Sequence, residues 1–271
     1  AGVCTPASLS DNLGSEAWSF IPTQVLPYLK YLADPSYPHI YYVDRTPTII
    51  DASVGVPSSA SGACATDYAQ CTKAAGTWRT ILIGGMGIGG AVKATTNSCV
   101  APAGCVKTPV TGTGYSSYFA LDVTDPANPK YLWEFTGSSG LTDLGYATTG
   151  PVIVRIATQS ATGVPDHSKN GKWFAVFASG PTGPINTSLN EFKGQSDQNL
   201  KVFIVDLASG SLIRTIDSGL TNAFAGTLST AAIDTDRSNQ SSRGFYSDDA
   251  VYIGYVQKDT TVTPNTWTKG G

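Results

Sequence analysis

Apolar residues in this chain come in short runs that stop at Asp, Gly or Pro, and one pair of runs occurs twice. Ser117–Val123 followed by Tyr131–Phe135 is echoed by Leu200–Asp206 followed by Leu212–Ile216. Each copy is an apolar strand ending in Asp, a tight turn and a second apolar strand. That is the pattern of an outer hairpin in a β-propeller blade. Asp206 lies much further from Asp122 than the roughly 40–50 residues of a compact propeller repeat, so the blades carry long insertions.

Two inner strands precede each hairpin. The first blade reads as Thr48–Asp51, Arg79–Ile83, Ser117–Val123 and Tyr131–Phe135. The second reads as Pro151–Arg155, Lys172–Phe177, Leu200–Asp206 and Leu212–Ile216, with Asn170-Gly171 as a type I′ turn signal. A third blade starts at Ser229–Asp234 and continues at Ala250–Tyr255. Polar inserts at Ser58–Gly76, Ala91–Gly114 and Asn186–Gln198 separate these strands, and long loops on a rigid frame are where binding surfaces are expected.

Residues 1–46 differ. Ile21, Val25, Leu26, Leu29 and Leu32 recur at helical spacing, with Thr23 as N-cap and Asp34-Pro35 as a stop. Pro27 restricts this stretch to short helical pieces. The predicted fold is therefore all-β: a helical lead-in over 1–46, then an incomplete propeller over 47–271 of about two and a half blades. An open ring leaves its end faces uncovered, so further blades are expected beyond this chain or from another chain.

Composition agrees with many short strands and turns: 41% hydrophobic, 14% charged, 29 Gly and 16 Pro. A net charge of −3 with no Lys/Arg cluster argues against a nucleic-acid partner. No apolar run approaches the roughly 18 residues of a membrane-spanning helix. No signal peptide is recognisable at Ala1, which reads as the start of a mature product or of a fragment.

Cys64 and Cys71 flank one polar loop, and Cys99 and Cys105 flank another. Such pairs predict local disulfides of an exported protein. A four-cysteine zinc site is the rival, but it needs closer pairs. Cys4 is left over, either free or paired outside the chain.

Candidate chemistry is sparse. Asp234-Thr-Asp236-Arg-Ser238 resembles the start of a calcium loop, in which alternate oxygen ligands converge on one hard cation. Gly85-Met-Gly87-Ile-Gly89-Gly90 fits a dinucleotide pattern but opens no helix, so it reads as a strand-exit loop. Asp122 and Asp206 sit at matching strand ends and are expected to cap the turns that follow. His39 and His167 lack an identifiable nucleophile partner, and no G-x-S-x-G elbow is present. Asn186-Thr-Ser188 is an N-glycosylation sequon, relevant only in a eukaryote.

Many short motifs in fixed order carry a resemblance. They include Glu16-Ala-Trp-Ser-Phe-Ile-Pro22, Tyr42-Val-Asp-Arg-Thr-Pro-Thr48, Trp78-Arg-Thr-Ile-Leu-Ile-Gly-Gly85, Tyr118-Phe-Ala-Leu-Asp-Val-Thr-Asp-Pro126, Val205-Asp-Leu-Ala-Ser-Gly210 and Thr230-Ala-Ala-Ile-Asp234. The series resembles the C-terminal propeller domain of the PilY/PilC family, the type IV pilus biogenesis factors and tip-associated adhesins. The resemblance implies an extracellular, pilus-tip location and a role in pilus extension and retraction. It also implies pilins or minor pilins and a host or abiotic surface as partners. The family's calcium loop, D-x-D-G-D-G-x-x-D, matches here at Asp234, Asp236 and Asp249, with Ser238 in place of the third acid, an insertion before Asp249 and neither glycine. Some members carry an Arg-Gly-Asp integrin motif, and this chain has none.

The expected function is thus non-enzymatic: a rigid blade frame presenting disulfide-closed inserts as an adhesive surface. Two rivals compete. A quinoprotein-like propeller dehydrogenase shares Ala120-Leu-Asp122 and Trp133 but needs vicinal cysteines, which this sequence lacks. A structural subunit of an extracellular filament is the other.

Overall fold

The computed structural model describes residues 16–33, 35, 41–89, 116–136, 143–186, 191–228, 232–239, 241–242, 244–245, 247–261 and 266–270. The first blade is a four-stranded antiparallel meander of β1 (Thr48–Ser53), β2 (Trp78–Gly85), β3 (Ser117–Asp122) and β4 (Lys130–Thr136). The second is built from β5 (Val152–Ile156) and β6 (Lys172–Ala178), then, after the short hairpin of β7 (Gly183–Asn186) and β8 (Glu191–Gln195), from β9 (Lys201–Asp206) and β10 (Leu212–Asp217). Its order, β5-β6-β9-β10 in space, repeats that of the first blade. The outer hairpins match in detail, because β3–β4 and β9–β10 each shift register at the equivalent step just before the terminal Asp, between Ala120 and Leu121 and between Ile204 and Val205. Such a shared bulge bends the two outer strands alike.

The third unit is less regular. Strands β11 (Ala223–Ala225), β12 (Ala232–Ile233), β13 (Ala250–Val251), β14 (Tyr255–Asp259) and β15 (Thr266–Gly270) form a three-stranded sheet, β11-β14-β15, and a separate β12–β13 pair. The expected strand over Ala250–Tyr255 is in fact two. The chain leaves β12 after Val251, and beyond Gly254 it pairs with β11, where the Gly226 amide donates to the Gly254 carbonyl at 2.9 Å. Of the expected Ser229–Asp234 strand, Ser229–Ala231 lie outside the described residues.

Two cores hold the blades side by side. Alternation along the second blade sends Ala175, Phe177, Phe203 and Val205 against Ile81, Ile83, Tyr118, Ala120, Trp133 and Phe135 of the first. The opposite face sends Val152, Val176, Val202 and Ile204 toward Ala223, Ala225, Leu228 and Tyr255. A sheet buried on both faces reads as a near-continuous apolar run, as Lys172–Ala178 and Lys201–Asp206 do.

The far face of the first blade is covered by the lead-in. Phe20 packs on Phe119 at 4.7 Å, the Trp18 indole N–H donates to the Pro126 carbonyl, and the Thr23 hydroxyl donates to Glu134 at 2.7 Å. Residues Thr23–Ala33 form a 3₁₀ helix that accommodates Pro27, rather than an α-helix. This changes which face is buried. With three residues per turn, Leu26, Leu29 and Leu32 stand in one row. Leu26 and Leu32 are 51% and 60% exposed, while Gln24 and Val25 are buried. The helical spacing in the sequence therefore does not mark a docking face.

Two further expectations are corrected. Asn170-Gly171 is not a type I′ turn. That turn needs positive φ at both residues, and only Gly171 has it (φ 74°). The Asn186–Gln198 insert is not a loop throughout, since β8 occupies Glu191–Gln195.

The Cys64–Cys71 disulfide is formed, with Cα atoms 4.5 Å apart. Cys4, Cys99 and Cys105 lie outside the described residues.

Candidate cation site

Pairing of β12 with β13 sets Ile233 opposite Ala250, so Asp234 and Asp249 leave neighbouring strand ends. The Asp249 amide donates to the Ile233 carbonyl at 2.7 Å, extending the ladder one step toward the site. The Asp236 amide donates to Asp234 Oδ1 at 3.2 Å, turning the chain back so that the second carboxylate faces the first. One carboxylate oxygen from each of Asp234, Asp236 and Asp249 lies within 4.8 Å of the others. Three of the four expected ligands are thus brought together. Ser238 lies nearby, on the wall of a groove that Asp234 also lines.

The carboxylates are held unequally. Asp249 Oδ2 accepts from the Thr235 backbone N–H and hydroxyl, which hold this carboxyl below its usual range. Burial pushes Asp234 up. The Asp236 amide opposes that rise, and the Asp236 and Asp248 carboxylates add to it. Asp236 Oδ2 accepts from the Ser242 hydroxyl, while its Oδ1 is buried with no hydrogen-bond partner. A buried, orphaned carboxylate oxygen beside two further carboxylates suits a hard, oxygen-seeking divalent cation. Gly244 packs on Asp236: a Cβ there would lie 2.5 Å from Asp236 Oδ2.

The loop is stitched to the inner strand of the second blade. The Arg155 amide donates to Asp248 Oδ2 at 2.6 Å, the Asp248 amide to the Arg155 carbonyl at 2.9 Å, and the Ala157 amide to Ser247 Oγ at 2.9 Å. A groove of about 880 Å³ runs beneath, with walls that include Ile50, Ile153, Arg155, Trp173, Arg237 and Phe245. Inner strands of all three units therefore meet at one cleft, with the acidic cluster on its rim.

The other candidates fall into structural places. Asp122 Oδ1 accepts from the Thr124 amide, and Asp206 Oδ1 from the Ala208 and Ser209 amides, so both cap their turns as expected. The glycine-rich segment is a strand exit. A Cβ on Gly87 (φ 61°) would fall 1.8 Å from Asp44 Oδ1, and one on Gly89 at the same distance from the Tyr42 carbonyl. His167 packs edge-on against Phe245, 4.3 Å between ring centroids, and burial with nearby Lys73 and Arg155 pushes its pKa down. His39 lies outside the described residues.

No protein-family model matches the chain. Over 211 residues, 77% of its length, it is 30% identical to a type IV pilus biogenesis factor PilY1 homolog of Xylella fastidiosa. The chain is a relative of the PilY1 proteins. It is also 30% identical, over 76% of its length, to PilY1 of Pseudomonas aeruginosa. It spans only 10% of the first relative and 12% of the second. Among solved structures, the C-terminal domain of Pseudomonas aeruginosa PilY1 aligns with 90% of this chain and 34% of that one, at 21% identity and a TM-score of 0.46. Both relatives are named as type IV pilus biogenesis factors. Among the described residues, no helix is long and apolar enough to cross a membrane.

Proposed function

We propose that this chain is a blade-bearing segment of a type IV pilus biogenesis factor. It acts without catalysis at the pilus tip, as a surface adhesin that modulates pilus extension and retraction. The observation that carries this reading is the 30% identity to PilY1 proteins over three quarters of the chain. The roles of the most catalytic-looking residues support a non-enzymatic reading: Asp122 and Asp206 are committed to turns, and His167 to packing. On this account the partners are pilins or minor pilins, together with a host or abiotic surface.

In the same reading calcium is held by Asp234, Asp236 and Asp249. The ion supplies positive charge that offsets three crowded carboxylates and ties the 235–248 loop to β12 and β13. A cation-dependent loop stitched to an inner strand gives the segment a means to sense calcium at the cleft. The test is a strain whose own copy carries Asp234→Ala, Asp236→Ala and Asp249→Ala. Surface pili and surface-attached cells should both fall, with the protein still exported at normal levels. Unchanged piliation and attachment at normal protein levels would contradict the proposal.

A further inference from the structure

The Ser58–Gly76 insert was expected to present a surface, yet its centre is buried. Tyr68 is 9% exposed, and Ala69 and Cys71 are fully buried. The segment 67–73, which belongs to the first blade, runs along residues 168–173 of the second. The Lys73 amide donates to the Ser168 carbonyl at 2.7 Å, the Asn170 amide to the Cys71 carbonyl at 2.9 Å, and the Gly171 amide to the Ala69 carbonyl at 3.2 Å. Buried Asn170 adds its side-chain amide to the Tyr68 carbonyl at 2.8 Å. Lys172 Nζ reaches Asp67 Oδ1 at 2.7 Å and lies over the Tyr68 ring.

The Tyr68 hydroxyl sits at the centre. It accepts from the Trp173 amide at 3.0 Å, where β6 runs past the end of β9, and donates to Asp206 Oδ2 at 3.0 Å. A charged acceptor at that distance outcompetes the Trp173 carbonyl at 3.3 Å, which already takes the Leu207 amide. The insert of one blade therefore completes the hairpin of the next. Asp122, the counterpart of Asp206, pairs within its own blade with Arg79.

We propose that the disulfide-closed insert is a redox-sensitive clasp between the first two blades. Oxidised, the Cys64–Cys71 bond confines the loop that carries Asp67, Tyr68 and Ala69, so Tyr68 stays seated. A dithiol reductant opens it. The reductant thiolate attacks Sγ of half-buried Cys64, and Cys71 Sγ departs with the bonding pair and takes up a proton. The second reductant thiolate then attacks the mixed disulfide and releases Cys64. The cysteine pair gains two electrons, and the reductant is oxidised to its own disulfide. The freed loop regains chain entropy and withdraws Tyr68 from Trp173 and Asp206. Cys71 is buried within the docked segment, so reduction accelerates whenever the clasp swings open.

The test is hydrogen exchange on the full chain carrying Cys99→Ser and Cys105→Ser, with and without dithiothreitol. Reduction should speed exchange at the Trp173, Ala208 and Ser209 amides by about 10-fold and leave the Thr124 amide unchanged. Tyr68→Phe, which keeps the ring and the disulfide, should speed exchange at Trp173 without reductant. Unchanged exchange at Trp173, Ala208 and Ser209 on reduction would overturn the proposal, and so would an equal rise at Thr124.

Discussion

The two blades share an outer hairpin in sequence, in register and in its bulge, yet the second is embedded far more deeply than the first. Asp122 is partly exposed, caps its turn through Thr124 and pairs with Arg79. Asp206 is 7% exposed, takes two backbone amides and the Ser209 hydroxyl, and also receives the Tyr68 hydroxyl from the neighbouring blade. The outer strands differ in the opposite sense. Trp133 of β4 is buried, and its indole N–H donates to the Leu207 carbonyl at 2.9 Å. Gly210 (φ 74°) completes that contact, since a Cβ there would lie 2.5 Å from Trp133. The equivalent position in β10 is Arg214, on a strand exposed at all six positions. A repeated motif thus sets the local turn, while the neighbour decides how much energy each copy carries.

Substitutions at matched positions can break this comparison. Trp133→Ala removes a buried aromatic wedge between blades and should cost about 3–5 kcal/mol in urea unfolding, against about 0.5 kcal/mol or less for Arg214→Ala. Equal effects would mean the blades are not joined at Trp133. Replacing Cys64 and Cys71 together by Ser should cost about 2.5 kcal/mol, because the closed loop is short. Asp206→Ala should cost about 2 kcal/mol and Asp122→Ala about 0.5–1 kcal/mol, since only the former strands a buried hydroxyl and several amides. A cycle of Tyr68→Phe with Asp206→Ala should give a coupling of about 1 kcal/mol, and a coupling near zero would remove the clasp from the account.

The smallest effect is on pH. Burial works to raise the Asp67 carboxyl, but the Lys172 ammonium and the Ala69 amide outweigh it and hold the group below its usual range. A depressed carboxyl contributes stability above its unfolded pKa, near 3.9, and loses it as pH falls through the folded value. The clasp should therefore loosen on acidification below about pH 4, visible as faster exchange at the Gly171 amide. Lys172→Met should remove that pH dependence.

Much of the frame was legible because a strand buried on both faces leaves an uninterrupted apolar run, and the Asp-capped turns sit where those runs stop. The convergence of Asp234, Asp236 and Asp249 was legible too, since two acids flank a short turn and the third precedes the next apolar run. The clasp was not. Its docking uses backbone groups, chiefly carbonyls, of a polar, Ala- and Thr-rich segment, and a single buried Tyr leaves no periodic trace. Asn170-Gly171 misled for a related reason: its side chain is spent on a neighbouring blade, and pair propensity does not register that tertiary use. The lead-in misled because Pro27 changes the helical period itself.

The most direct test of the functional account is a calorimetric titration of the metal-free chain with calcium, beside Asp236→Asn. Asp236 carries the orphaned oxygen, so binding should saturate at about one ion per chain and weaken at least about 10-fold in the variant. No heat of binding at millimolar calcium, or equal affinity in Asp236→Asn, would contradict it.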